Sequence, residues 1–152
     1  MKLGSIEDLY SIYCAHPSVV TDTRKLKSGD LYFALKGPNF NGNIFAIAAL
    51  EAGAAYAIVD EAIADSDTYE ERIILVQDVL TTLQQLAKYH RQQFDIPFIA
   101  ITGSNGKTTT KELVYSVLAS HFKTYTTQGN LNNHIGVPLT LLSIPKNAAM
   151  AV

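Results

Sequence analysis

The chain has 152 residues, 47% hydrophobic and 17% charged, which excludes a disordered or fibrous protein and leaves enough apolar surface for a buried core. Twelve Lys and Arg against fourteen Asp and Glu give a formal charge of -2, so no basic field exists to hold a nucleic-acid backbone through counterion release. The N-terminus turns acidic at Glu7-Asp8 before an apolar signal segment can form, and every apolar run is far short of the roughly 20 residues of a membrane span, a pattern that predicts a cytoplasmic protein.

Ser5 followed by Ile6, Leu9, Tyr10 and Tyr13 at helical spacing predicts a capped helix that ends at His16-Pro17. Within it Cys14, with no partner for a disulfide or a zinc cluster, reads as a small buried or half-buried hydrophobe. Val19-Val20-Thr21 and Leu31 to Leu35 predict two short strands around a loop that carries Asp22-Thr23-Arg24. A polar turn over 37–43 leads into an Ala-rich helix that Gly53 can close. Ala55 to Val59 and Ile73 to Val76 read as buried strands, and the acidic stretch between them, Asp60 to Arg72, as an exposed, solvated connection. From Val79 to Phe94 the apolar residues follow an i, i+3, i+4, i+7 pattern, predicting a long amphipathic helix.

After Pro97 the character changes. Phe98 to Thr102 reads as a continuous apolar strand running into Gly103-Ser104-Asn105-Gly106-Lys107-Thr108, then a helix with Leu113, Val114, Val117 and Leu118 inside. Thr124 to Thr127 predicts a strand, 128–136 a polar loop and Val137 to Ile144 a short apolar element. A sheet begun at Phe98 would hold only two or three strands by Val152, so the second domain reads as cut short. The expected fold is α/β: a small N-terminal α/β domain over 1–80, a linker helix over 81–96, and over 97–152 the beginning of a P-loop NTPase-like central domain with a parallel sheet.

Strand, Gly-x-x-Gly-Lys-Thr and helix together make a phosphate site. The glycines let successive N–H groups of Gly103 to Thr109 point inward, the helix start adds partial positive charge, Lys107 adds a full one, and the Thr108 hydroxyl can ligate Mg²⁺. The loop is shorter than the common P-loop, which would want Gly where Ile101 stands. The plainer alternative is a Gly-rich turn beside a solvated lysine, but a bland turn has no use for Gly-Lys-Thr-Thr at a strand-to-helix junction.

Ile101-Thr102-Gly103-Ser104-Asn105-Gly106-Lys107-Thr108-Thr109-Thr110-Lys111-Glu112-Leu113 resembles the ATP-binding signature of the Mur ligases, the cytoplasmic amide-forming enzymes of peptidoglycan synthesis. Gly129-Asn130-Leu131-Asn132-Asn133-His134-Ile135-Gly136-Val137-Pro138-Leu139-Thr140 is similar to the version in the branch of that family that adds D-alanyl-D-alanine to UDP-N-acetylmuramoyl-tripeptide. Thr21 to Arg24, Gly29 to Gly37 and Phe40 to Asn43 resemble that branch's UDP-binding domain. The resemblance implies ATP and Mg²⁺ as cofactors, those two substrates as partners, a monomer, and a ligase about three times this length whose N-terminal part, inactive alone, is this chain.

By the same resemblance, Lys107 and Thr108 are the catalytic residues, Gly103, Ser104, Asn105, Gly106, Lys107, Thr108 and Thr109 hold the ATP phosphates, and Thr108 ligates the metal. Thr23, Arg24, Asn39, Asn41 and Gly42 would meet the UDP end of the substrate, and Asn130, Asn132, Asn133 and His134 its muramoyl-peptide end. Without the resemblance Arg24 reads as a surface charge among Lys25 and Lys27, and the Asn-rich run as Asx-turns that shape a loop. Two other functions stay open on sequence grounds: a stand-alone nucleotide-sugar-binding module with a vestigial P-loop, and a different Mur-type or folylpolyglutamate synthase-like ligase.

Overall fold

The computed structural model describes residues 4–64, 67–129 and 131–152. Helix α1 (Ile6–Ala15) starts at Ser5, whose hydroxyl accepts from the Asp8 N–H at 3.2 Å, and stops at His16, one residue before the proline that could not continue it. Strands β1 (Val19–Val20) and β2 (Leu31–Phe33) follow, then a small hairpin of β3 (Lys36–Gly37) and β4 (Phe40–Asn41), helix α2 (Ala46–Glu51), strands β5 (Tyr56–Val59) and β6 (Ile73–Leu75), and helix α3 (Val79–Gln92).

Strands β1, β2, β5 and β6 lie side by side in that order, all parallel, with Leu31 opposite Tyr56 and Ala57 opposite Ile73. The period-two alternation of β2 divides the core. Leu31 and Phe33 face α1 and α3 together with Leu9, Tyr13, Ile58, Ile74, Leu83 and Leu86, while Tyr32 faces α2 with Ala46, Ala49, Leu50, Ala57 and Val59. The result is three layers, with helices on both faces of a parallel sheet, as its apolar strands require.

Asp78 caps α3 through its carboxylate on the Thr81 N–H at 2.7 Å, and the stripe Val79, Leu83, Leu86, Ala87, His90 is buried. Beyond it come α4 (Lys107–Ala119), β7 (Thr124–Tyr125), α5 (Gly136–Leu142) and β8 (Met150–Ala151). Strands β7 and β8 pair in parallel, and Leu142 of α5 joins the core between α1 and α3, where the Tyr13 hydroxyl donates to its carbonyl.

Four expectations fail. The run 98–102 is not a strand: only Phe98 bridges to Ala151, because β8 alone runs beside it and offers two residues of ladder. On α4, Leu113 and Val117 point outward, 64% and 71% exposed, since the β7–β8 pair is too narrow to cover that face. Cys14 lies on the solvent side of α1 and is exposed. The stretch after β5 is not merely solvated: Asp60 is buried, Ile63 and Tyr69 pack under the sheet, and the Arg72 guanidinium donates to the carbonyls of Leu50, Ala54 and Ala55.

His90 sits in an aromatic nest. Its Nδ1 is 3.1 Å from the Tyr10 hydroxyl, the Tyr13 and Phe94 rings stand edge-on at 5.0 and 4.9 Å, and Nε2 is buried without a hydrogen-bond partner. Burial pushes its pKa down from 6.5, the Ile144 backbone opposes this, and the Lys146 charge adds to it. Between the folded and unfolded pKa values the unfolded chain holds the proton and the folded chain does not, so stability falls as pH drops below about 6.5. We expect the melting temperature to decline between pH 7.5 and 5.5, and His90→Gln to flatten that decline; an unchanged slope in the variant would remove His90 as its source.

Candidate functional site

Two groups of polar residues stand out, one at the start of α4 and one at the carboxyl ends of the first sheet. At α4 the chain turns through Gly103 and then Gly106, whose φ of +76° puts it in the left-handed region that a side chain disfavours. Gly106 is the N-cap and makes no side-chain cap hydrogen bond, so the positive end of the α4 dipole faces the turn. Ser104, Asn105, Gly106, Lys107, Thr108, Thr109 and Asn132 line a pocket of about 350 Å³ here. The Lys107 ammonium turns back on the Gly103 carbonyl at 2.5 Å, which keeps its charge at the mouth of the loop. A larger cavity of about 470 Å³ adjoins it, sharing Lys107, Thr108 and Asn132 and otherwise mainly apolar.

Lys111, one turn beyond Lys107, is buried, and its ammonium donates to the Thr127 and Gly129 carbonyls and pairs with Glu112. From there the loop runs to Asn133, whose carboxamide oxygen accepts from the Ile135 and Gly136 N–H groups at 3.1 and 2.7 Å and so opens α5. Gly136 is needed for contact: a Cβ there would stand 2.6 Å from the Leu131 backbone. The His134 carbonyl accepts from Gln84 of α3 at 3.1 Å.

At the first sheet's carboxyl edge, the usual place for ligands in parallel α/β folds, Thr23 and Arg24 lie in a 3-10 turn that Asp22 caps. Arg24 is 86% exposed and grips Asp22 through Nε and Nη2 at 2.9 and 2.7 Å. That hydrogen bond, with a second from the Arg24 N–H, holds the Asp22 carboxyl at about 2. Asn41 accepts from the Asn43 N–H and donates to Glu61, Asn39 is exposed at the hairpin tip, and Gly42 packs so closely on Leu35 that a Cβ would meet its carbonyl oxygen at 2.5 Å.

Behind these residues lies a hub that sequence reasoning missed. The Asp60 side chain, 3% exposed, accepts from Lys36 at 3.0 Å, from the Asn43 amide at 2.9 Å and from the Val79 N–H at 3.3 Å. Burial alone would raise its pKa, and these donors together hold it below the ordinary value. Its signal in the sequence was a carboxylate directly after an apolar strand.

The structure thus gathers Gly103 to Thr109 with Asn132, and separately Thr23, Arg24, Asn39, Asn41 and Gly42 along one sheet edge. Asn133 and His134 instead shape and tether the loop, and Asn130 lies outside the described residues. Hydroxyls, amides and a lysine around a helix start suit phosphate oxygens. For Mg²⁺ the pocket lining offers the hydroxyls of Ser104, Thr108 and Thr109 and no carboxylate, and among the described residues no group of three or more His, Cys, Asp or Glu converges on a metal position. Hydroxyls alone would hold such an ion only together with a bound phosphate, and Thr108 is the residue that would do so.

Parallel α/β layers joined to a glycine-rich loop, with lysine and threonine at a helix start, define a protein of the phosphate-binding-loop class. Residues 17–91 match the Mur ligase family, catalytic domain, and residues 101–152 the Mur ligase middle domain. The chain belongs to the Mur ligase family. It is 46% identical over 134 residues to a UDP-N-acetylmuramoyl-tripeptide--D-alanyl-D-alanine ligase of Bacillus subtilis (strain 168), covering 88% of this chain and 29% of that one. A ligase of the same name from Synechocystis is 43% identical over 89% of this chain and 30% of its own length. Among solved structures, MurF from Acinetobacter baumannii superimposes with a TM-score of 0.80 at 39% identity, and MurF ligase from Thermotoga maritima, solved in complex with ADP, with 0.77 at 34%; each match covers 88% of this chain. The chain therefore spans about three tenths of the length of these relatives, 29% and 30% of the two structures.

If Asn133 acts by capping α5, Asn133→Ala should cost about 0.5–2 kcal/mol of stability in urea unfolding, the range of a lost helix cap. An Asn133→Ala chain as stable as the parent would refute the capping role.

Proposed function

We propose that the chain carries the UDP-substrate unit and the ATP phosphate loop of a ligase that joins D-alanyl-D-alanine to UDP-N-acetylmuramoyl-tripeptide. The observation that carries this reading is the Gly106-Lys107-Thr108 turn, with its left-handed glycine and a helix start without a side-chain cap, beside a pocket lined by Ser104 to Thr109 and Asn132. The printed names of the relatives supply the reaction, and the ADP complex of the Thermotoga maritima ligase supports ATP as the nucleotide.

In that reaction a carboxylate oxygen of the tripeptide attacks the γ-phosphorus of ATP and ADP leaves. The amine of D-alanyl-D-alanine then attacks the acyl carbon, inorganic phosphate leaves, and the C–N bond is made. Lys107 and the N–H groups of Gly103 to Thr109 would stabilise charge that builds on the phosphate oxygens. Mg²⁺, held through Thr108, would supply further neutralisation of those oxygens. Arg24, already oriented by Asp22 and otherwise in solvent, would offer its remaining N–H groups to the diphosphate, with Thr23, Asn39, Asn41 and Gly42 along the same edge. Asn132 lines the phosphate pocket, and the loop that carries it, with Asn130, Asn133 and His134, would reach from there to the muramoyl-peptide. ATP and UDP-linked precursors are cytoplasmic metabolites, and no helix among the described residues is long and apolar enough to cross a membrane.

Calorimetric titration of the 152-residue chain tests both halves of the reading. Lys107→Ala should weaken Mg-ATP binding by about 10- to 100-fold, as expected for a charge-assisted contact, and leave UDP-N-acetylmuramoyl-tripeptide unaffected. Arg24→Ala should do the reverse. Equal loss of both ligands in either variant would refute the division of labour, and ATP binding that ignores Lys107 would refute the loop assignment.

A further inference from the structure

Lys111 is used by neither half of that reading, yet it is the most constrained cation near the phosphate pocket. A lysine ammonium is rarely buried unless its donors are satisfied. Here its three acceptors are the Thr127 carbonyl at 2.7 Å, the Gly129 carbonyl at 3.5 Å and Glu112 Oε1 at 3.0 Å. Two of them are backbone oxygens two residues apart, turned to one point as the chain bends through Gly129 at φ +57°. The ammonium therefore sets the backbone where β7 passes into the following loop.

Three residues further on, Asn132 lines the pocket with Ser104 to Thr109. The loop's other end is fixed by the Asn133 cap, the Gln84 bond to the His134 carbonyl and the close packing of Gly136 on Leu131. Lys107 gives the loop no such support, since its ammonium bonds the Gly103 carbonyl. On α4 the two lysines are four residues apart and share a face. Lys107 lines the pocket, and Lys111 holds the chain that leads on to Asn132.

We infer that Lys111 is a positioning residue for nucleotide binding: by holding Thr127 and Gly129 to α4 it keeps Asn132 against the phosphates of ATP. This rests on the proposed ATP site and adds that the loop after β7 belongs to it, tied to the same helix that carries the phosphate loop.

The test is Mg-ATP affinity and melting temperature for the parent chain, Lys111→Met, Asn132→Ala, the double variant and Lys107→Ala, with amide exchange over residues 131–135. Lys111→Met should weaken ATP about 10-fold, the scale of one lost polar contact, and speed exchange in that segment. Asn132→Ala should weaken ATP to a similar degree, and the double variant should bind no worse than the weaker single one, because both changes remove one contact. A purely structural lysine would instead leave amide exchange over 131–135 unchanged at matched stability and give losses that multiply in the double variant, which would overturn the inference. Parent-like ATP affinity in a folded Lys111→Met chain would overturn it too, and so would parent-like affinity in Asn132→Ala even if Lys111→Met fails to fold. A parent chain that does not bind ATP, or binds it equally well as Lys107→Ala, refutes the ATP-site reading itself and this inference with it.

Discussion

A carboxylate buried at the end of a parallel strand must be paired, and in this fold the pairing of Asp60 organises everything around it. Its donors come from three places: Lys36 on the hairpin, Asn43 on the turn before α2, and the Val79 N–H at the start of α3. Removing any one would leave part of a buried charge unsatisfied, a cost of about 1–3 kcal/mol or more. The same contacts fix the rim on which Arg24 and Asn41 are displayed, since Asn41 bonds both Asn43 and Glu61, the neighbour of Asp60. Fold stability and the shape of the first site thus share one hydrogen-bonded centre.

Two positive charges lie near the start of α4. Lys107, the first residue of α4, is half-buried and its ammonium bonds the Gly103 carbonyl, so its charge stays close to the turn. Lys111 is buried and fully engaged, so its charge is spent on the backbone it holds. Position on one helix makes them neighbours, and burial gives them different work.

Between the sites runs α3. Its apolar stripe packs on the first sheet with α1, and its far end meets α5, whose Leu142 enters the same core. Gln84 of α3 bonds the loop that carries Asn132, and the Tyr13 hydroxyl of α1 bonds the Leu142 carbonyl. The loop beside the phosphate pocket is therefore braced from both directions, by α3 on one side and by α4 on the other. By contrast, α4 keeps Leu113 and Val117 in solvent, because a two-stranded sheet has too little surface to cover a helix of this length.

The local pattern of the sequence determined the helices and the parallel strands of residues 5–92, because capping residues and apolar periodicity act over a few neighbours. It also placed the Gly103 to Thr108 turn at the start of α4, because its residues lie within six positions of one another and need no distant partner. Tertiary structure decided what depends on distant partners. The run 98–102 has strand composition, yet a ladder needs neighbours, and only β8 stands beside it. Asp60 looked like part of an acidic connection until Lys36, Asn43 and Val79 converged on it from elsewhere in the chain. Asn132 and Asn133 are adjacent and identical in chemistry, but the first lines the pocket and the second caps α5. Sequence names the groups that can bind or be buried; which of them do so is set by long-range packing that brings their partners within reach.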